Sequence, residues 1–317
     1  MARLSSRKVT PLCEVTVITS AEAEDSVAEL LQRIFDETAS IYSSREKHVS
    51  AVTVYVERPL KDLRALEPKI RAGFKEIEMY GLDTTPGEVR IAKIRREDWA
   101  ESWKKYFKTI RIGRKLLIKP SWSKTKPVKG QAVVILDPGL SFGTGQHPTT
   151  SYCLKKLVEG ARPGAGLLDA GCGSGILAIS AAKLGYSPVE ALDFDPVAVR
   201  VAKENLRRNR VEGKVRCRRQ DLTKLNATSR KKFQVICANL IADLLISEAD
   251  RLIGRLAPEG RLIVAGVLGT QFQDVRRAFE AKGLELLHTN TEREWQSGVF
   301  RLADANRNDR APRRTGN

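Results

Sequence analysis

The stretch Leu167-Leu168-Asp169-Ala170-Gly171-Cys172-Gly173-Ser174-Gly175-Ile176 constrains this chain more than any other. It reads as a buried strand that breaks into a glycine loop and then opens a helix. Glycines at 171, 173 and 175 remove every second side chain, which lets a ligand lie against bare backbone N–H groups at a helix N-terminus. Eighteen residues past Gly175, the run Val189-Glu190-Ala191-Leu192 closes on Asp193, the place where doubly wound α/β folds hold a ribose diol with an acid. A glycine loop by itself also serves as a tight turn. Strand, loop, helix, strand and acid in register over ~27 residues instead make one βαβ unit with a ligand site. The spacing is G-x-G-x-G, and Ile176 stands where a nicotinamide or flavin fingerprint needs Gly or Ala for close helix packing. A nucleoside without a pyrophosphate fits better, and S-adenosylmethionine is the natural candidate.

At 317 residues the length suits two domains, each able to bury a core. No apolar run approaches the ~18 residues that a membrane span needs, so no membrane association is expected. Residues 1–8 lack the apolar stretch of a secretory signal and carry only a weak likeness to a mitochondrial presequence. The expected location is cytoplasmic, and five cysteines without a C-x-x-C pair fit a reducing compartment. Cys172, inside the loop, has no His nearby in sequence and reads as a small filler. The three histidines, at 48, 147 and 288, form no metal spacing, so no metal is expected.

The net charge of +17 is concentrated. Residues 104–129 hold ten Lys or Arg and no acid, and residues 200–232 hold thirteen against three acids. The tail from Arg301 adds five Arg against two acids. Fields of that size draw phosphate-rich partners, while solvated helix faces give the same pattern. Aromatic residues are not interleaved with the basic runs as in single-strand binders.

Along the chain, 12–19 alternates like a strand, and Thr19-x-x-Glu22 reads as a capping box for a helix whose stripe is Val27, Leu30, Leu31 and Ile34. Strands over 39–43 and 49–57, a helix over 60–80 closed by Gly81, and a strand over 88–94 complete a βαββαβ order, a ferredoxin-like α+β domain spanning 1–96. It carries no catalytic constellation and is read as a substrate-recognition domain. Residues 97–130 are read as an inter-domain helix over 98–107, carrying Trp99, Trp103 and Phe107, with a polar linker at 123–130. From Pro148 the pattern turns strictly α/β, ending in two strands, 284–289 and 297–302, with no helix between them. Short connections demand a parallel sheet covered on both faces, with an antiparallel pair at one edge. The expected fold is a Rossmann-like sheet of about seven strands over 131–303, followed by a basic tail at 304–317.

Ligands in such sheets bind beyond the carboxyl ends of the strands, where strand order reverses. The glycine loop, Asp193, Gln220-Asp221 and Asn239 converge there, with Asp221 placed for an adenine amino group. Asp195, before Pro196, reads as an N-cap, and Asp169 as a brace for the loop. Asn239 has two readings, an acceptor that aims an amine lone pair or the N-cap of the next helix. Trp295 reads as an edge-strand core residue or as a platform for a substrate cation.

Longer motifs then narrow the class. Asp137-Pro-Gly-Leu-Ser-Phe-Gly-Thr-Gly-Gln-His-Pro-Thr-Thr150 and Asp169-Ala-Gly-Cys-Gly-Ser-Gly-Ile-Leu-Ala-Ile179 together resemble the PrmA family, the ribosomal protein L11 methyltransferases. Asp193-Phe-Asp-Pro196, Ala238-Asn-Leu-Ile241 and the run from Glu97-Asp-Trp99 through Trp103 and Ile110-Arg-Ile-Gly-Arg to Pro120-Ser-Trp122 extend the resemblance over nearly the whole chain. It implies a class I methyltransferase using S-adenosyl-L-methionine, with Thr150, Gly171, Asp193 and Asn239 at the cofactor; the reading of the loop and strand ends adds Gly173, Gly175 and Asp221 there, and Thr150 and Asn239 are expected at the chemistry as well. It implies lysine side-chain amines of ribosomal protein L11, and an N-terminal amine, as acceptors. Ribosomal RNA is a neighbour that the basic stretches permit, and a monomer is the default. Ala191 stands where the family has Gly, Asn239-Leu-Ile where it has Asn-Ile-Leu, and Ala265-Gly266 where it has Ser-Gly. None of these removes a cofactor contact. The competing class, an RNA base methyltransferase, usually carries Asn-Pro-Pro-Tyr where this chain has Asn239-Leu-Ile-Ala.

Overall fold

Burial alternates residue by residue along the first strand: Cys13, Val15, Val17 and Thr19 are buried and their neighbours are not. That period of two means one covered sheet face and one open one. The computed structural model describes residues 12–37, 39–44, 49–56, 65–94, 109–137 and 147–303. The expected helix over 98–107, residues 138–146 of the long motif, His48 and the basic tail at 304–317 lie outside them.

The chain divides into two units, Met1–Phe107 and Lys108–Asn317. In the first, β1 (Leu12–Ser20), α1 (Glu24–Phe35), β2 (Ser40–Ser44), β3 (Val49–Val56), α2 (Leu66–Met79) and β4 (Glu88–Ile94) follow the expected βαββαβ order. The sheet order is β2-β3-β1-β4, and every pairing is antiparallel. Val27, Leu30, Leu31 and Phe35 of α1 pack with Ile70, Phe74 and Ile77 of α2 over Val15, Val17, Val52 and Val54. The capping box is not formed. The α1 N-cap is Ala23, while the Thr19 hydroxyl donates to the Thr84 carbonyl at 3.2 Å and Glu22 accepts from the Asp83 N–H at 2.8 Å. Both side chains tie the β1–α1 turn to the loop before β4, a long-range use that local spacing does not reveal.

The second unit opens with a three-stranded sheet, β5 (Ile110–Ile112), β6 (Leu116–Lys119) and β7 (Ala132–Ile135). β5–β6 is antiparallel and β6–β7 parallel. The polar stretch read as a linker is thus the crossover from β6 to β7. Ile112, Leu116, Ile118 and Val134 belong to the core of this unit.

Next come α3 (Pro148–Glu159), β8 (Leu167–Ala170), α4 (Ile176–Lys183), β9 (Val189–Asp193), α5 (Pro196–Arg208), β10 (Val215–Arg219), β11 (Phe233–Asn239), α6 (Ala242–Ser247), α7 (Ala249–Ile253), β12 (Leu256–Leu268), α8 (Phe272–Glu280), β13 (Leu284–Glu292) and β14 (Trp295–Leu302). The sheet order is β10-β9-β8-β11-β12-β14-β13. The first five strands are parallel, and β14 runs antiparallel to both β12 and β13. Alternate residues face opposite layers. Leu167, Val235, Cys237 and Ile263 meet α3, α4 and α5, whereas Leu168, Ile236, Leu262 and Val264 meet Phe272, Val275 and Phe279 of α8. Because both faces are covered, β8 and β11 are apolar on both faces except at Asp169, Gln234 and Asn239. Helices α6 and α7 are short and meet at Glu248.

A side-chain amide joins the small sheet to the large one. Asn209, buried beyond α5, accepts from the Ile135 N–H and donates to the Ile135 carbonyl, both at 2.7 Å. It pairs with β7 as another strand would. Asn209→Ala strips both partners from Ile135, and we expect a loss of roughly 1–3 kcal/mol, read as a lower urea midpoint at unchanged m-value.

A candidate cofactor site at the carboxyl ends of the parallel strands

All three loop glycines have positive φ: 77° at Gly171, 51° at Gly173 and 78° at Gly175. Side chains with a Cβ rarely take that conformation, so the run G-x-G-x-G is a backbone requirement. Gly175 also sits where a Cβ would lie 3.2 Å from the Ala202 Cβ, so α5 closes on the loop. The loop is fastened from two sides. The Leu192 carbonyl accepts from the Gly171 and Cys172 N–H groups at 2.9 Å each, and Asn205 of α5 donates to the Ser174 carbonyl at 2.9 Å.

Asp193 closes the arrangement. Its carboxylate accepts from the Gly173 N–H at 2.8 Å and from the Asp195 N–H at 3.1 Å, and it is 8% exposed. Two backbone donors therefore aim the carboxylate at the loop, at the end of the strand beside β8. Asp195 caps α5 through the Val197 N–H at 2.8 Å, as its place before Pro196 indicates. Asp221 begins the next strand end: the Gln220 N–H donates to the Asp193 carbonyl at 2.8 Å. The Asp221 Oδ1 accepts from the Thr223 N–H and hydroxyl at 3.0 and 2.8 Å, which hold its carboxyl below the usual range. Capping a short turn over 222–224 is thus the work the structure gives that oxygen.

Between β8 and β11 the strand order reverses, the place where α/β sheets open a crevice. Asn239 ends β11 there. It is not a helix cap, because Ile241 holds the N-cap position of α6. Leu240 N–H donates to the Ala265 carbonyl at 3.0 Å, and a Cβ on Gly266 would stand 2.9 Å from the Asn239 Oδ1 and 2.7 Å from the Leu240 carbonyl. Gly266, with φ 83°, therefore makes room for the Asn239–Leu240 turn. No described residue hydrogen-bonds the Asn239 side chain.

Thr150 lies in the first turn of α3, is 1% exposed, and its hydroxyl has no hydrogen-bond partner. A buried hydroxyl with nothing to bond is costly, so a ligand atom is the partner it fits. No hydrogen bond joins it to the glycine loop or to Asn239. The glycine cradle, the oriented acid and this orphaned hydroxyl together suit a nucleoside cofactor.

The Cys172 thiol is buried, and its neighbour Cys217 together with burial pushes it well above the ordinary range, so it is a protonated filler, as expected. Asp169 is fully buried, accepts from the Ala178 N–H of α4 at 3.1 Å, and braces the first turn beneath the loop. Its second oxygen has no partner.

Topology adds residues that spacing left undecided. Trp295 pairs with Leu268, which brings it to the carboxyl end of β12, where its ring meets the His147 ring edge-on at 5.1 Å. Burial lowers the His147 imidazole below its ordinary pKa, which leaves it neutral near pH 7. Phe194 and Ile241, one and two residues past Asp193 and Asn239, are 70% and 67% exposed. Exposed apolar side chains beside polar site residues are a signal that sequence reasoning passed over.

Two outcomes are expected. Asp193→Ala frees the loop and removes the acid, and calorimetry should show S-adenosylmethionine binding weakened at least 10-fold, on the order of 1.4 kcal/mol. Burial raises the Asp169 carboxyl to about 7, against about 3.9 when unfolded. Between those values the folded state holds the extra proton, so this group's contribution falls as pH rises and the loss is complete above about 7. Urea titrations should show the stability of Asp169→Asn, relative to the parent, growing from about pH 4 to 7 and levelling above.

The family model described as Ribosomal protein L11 methyltransferase (PrmA) matches residues 11–302. The ribosomal protein L11 methyltransferase of Geobacter metallireducens is 38% identical over 298 residues, covering 90% of this chain and 97% of that protein. Its counterpart in Desulfitobacterium hafniense is 36% identical over 301 residues, covering 89% and 95%. A crystal structure of ribosomal protein L11 methylase from Lactobacillus delbrueckii subsp. bulgaricus aligns with 62% of this chain and 99% of that one, with a TM-score of 0.54 at 29% identity. With the glycine cradle and its acid in place, and the match running from end to end of the described fold, the chain belongs to the ribosomal protein L11 methyltransferase family.

Proposed function

We propose that this chain moves methyl groups from S-adenosylmethionine to amines of ribosomal protein L11: lysine side chains, with the N-terminal amino group as a further acceptor. One juxtaposition carries the reading. The glycine loop with Asp193 locked to it lies at the same sheet end as Asn239, whose amide takes no other hydrogen bond from the described residues. The names of the relatives support the donor class and the substrate protein.

When bound, the donor supplies an electrophilic methyl on a sulfonium. The loop backbone at 171–175 receives the nucleoside, Asp193 takes the ribose diol, and the Thr150 hydroxyl meets the donor as well. The Asn239 Oδ1 accepts an amine N–H and turns the nitrogen lone pair toward the methyl group. Displacement is in line, so alignment supplies most of the rate. A lysine ammonium, with pKa ~10.4, must first lose its proton, and an apolar rim favours the neutral amine. Ile241, exposed beside Asn239, contributes that rim.

The N-terminal unit is the proposed recognition domain for the ribosomal protein. The chain's proposed place of work is the cytoplasm, as a monomer near the ribosome; no described helix is long and apolar enough to cross a membrane.

Labelled methyl transfer to recombinant L11, with acceptors identified by mass spectrometry, is expected to place label on lysines. Label in RNA alone would sink the reading. Asn239→Ala should lower kcat by roughly 10–10²-fold while donor affinity stays within about 3-fold. Gly266→Ala, which displaces Asn239 without touching substrate, should move kcat the same way, and Thr150→Ala should lower it less.

A further inference from the structure

Five cations face solvent around the start of β10, at the edge of the sheet away from the cofactor site. A cleft of about 300 Å³ is lined by Lys203 and Arg207 of α5 and by Arg216 of β10. A second, of about 720 Å³, shares Arg216 and continues past Lys214 to Lys231. The two also share Val215 and Glu212, so they form one groove that rounds the amino end of β10. Acid is scarce there. Glu190, 5% exposed at its side chain, serves Lys231 at 2.6 Å, Arg218 at 3.4 Å and Arg216 at 4.0 Å, one negative charge against three positive. Glu212 and Glu190 are the acids that line the groove. Among the described residues, Lys203, Arg207, Arg210 and Lys214 make no ion pair. Crowding shows at Lys183 too, whose ammonium is held below its ordinary pKa by burial and then by the charges of Lys214 and Arg210.

We propose that this groove is a docking surface for the phosphate backbone of structured RNA, through which the enzyme meets its substrate in ribosomal surroundings. The proposal rests on the reading of the chain as an L11 methyltransferase. Arginine at 207 and 216 suits phosphate, which its planar fork binds through two hydrogen bonds. None of the exposed large apolar side chains, Phe194, Val197 and Ile241 among them, lines the groove, so the wedge that seats a helix in a lipid surface is missing. Arginines on an edge strand also discourage strand-to-strand association. That accounts for Arg216 but not for Lys203 and Arg207 on α5 or for Lys214 in the preceding loop. The groove borders the amino ends of β9 and β10, whereas the methyl group is moved at their carboxyl ends. RNA held there docks and is not the methyl acceptor.

The test uses the full chain and a fluorescent RNA stem-loop, with anisotropy read between about 50 and 300 mM KCl. Five phosphates neutralised predict a slope of log Kd on log salt of about 3.5–4.5. The triple variant K203E/R207E/R216E should weaken binding at least 10-fold and lower the slope by about 2–3. Donor affinity and methyl transfer to free L11 should stay as in the parent, with the thermal melt as the check on folding. The milder K203A/R207A pair serves if the triple variant does not fold. Unchanged RNA binding in a folded variant overturns the proposal, as does groove-dependent binding of anionic vesicles or an acidic peptide with none to RNA. If RNA binds through the groove but L11 accepts no methyl group, the docking surface stands and the substrate assignment falls.

Discussion

The hydrogen bond of 2.8 Å from the Gly173 N–H to the Asp193 carboxylate joins a loop to a strand end twenty residues away, and the site takes its shape from it. It is charge-assisted and partly buried, and its acceptor is aimed by a second N–H, that of Asp195. The loop can meet this acceptor because its three glycines take positive φ and α5 lies close above Gly175. Through Asp195 the same segment caps α5, whose Asn205 returns to hold the loop at Ser174. Loop, acid and helix therefore form one closed circuit of short bonds. Such a cradle is set before a ligand arrives, so less ordering is left to oppose binding.

Sheet order decides what else reaches this place. Because β8 has β9 on one side and β11 on the other, Asp193 and Asn239 reach the crevice from different neighbours of one strand. β11 delivers Asn239 and β12 makes room for it with Gly266. The antiparallel β14 then brings Trp295 to the same end, where His147 at the head of α3 meets it. Ala191 and Ala265 lie within the buried sheet.

The amino end of β10 collects cations around the buried carboxylate of Glu190. At the carboxyl end, Arg219 donates to the Phe194 carbonyl and Lys224 pairs with Asp221. The groove at the amino ends is thus a second basic region, set apart from the proposed site and able to attract phosphate over distance.

Much of this was legible in the residues themselves. Three glycines in alternation, an acid at the end of the next apolar run and Pro196 after Asp195 each state a local backbone requirement, and local requirements survive translation into structure. Alternation along 12–19 pointed to the first sheet, and the succession of apolar runs and helices from Pro148 pointed to the large one, because a covered face must be apolar wherever it lies. What the residues by themselves left open was every choice that depends on a partner distant in the chain. Thr19 and Glu22 have the spacing of a capping box yet bond the loop at 83–84. The polar stretch at 123–130 has a linker's composition yet connects two paired strands. Asn239 has a cap's identity yet is left unpartnered beside Gly266. A polar side chain has several acceptors or donors within its repertoire, and only packing decides which one stands within 3 Å.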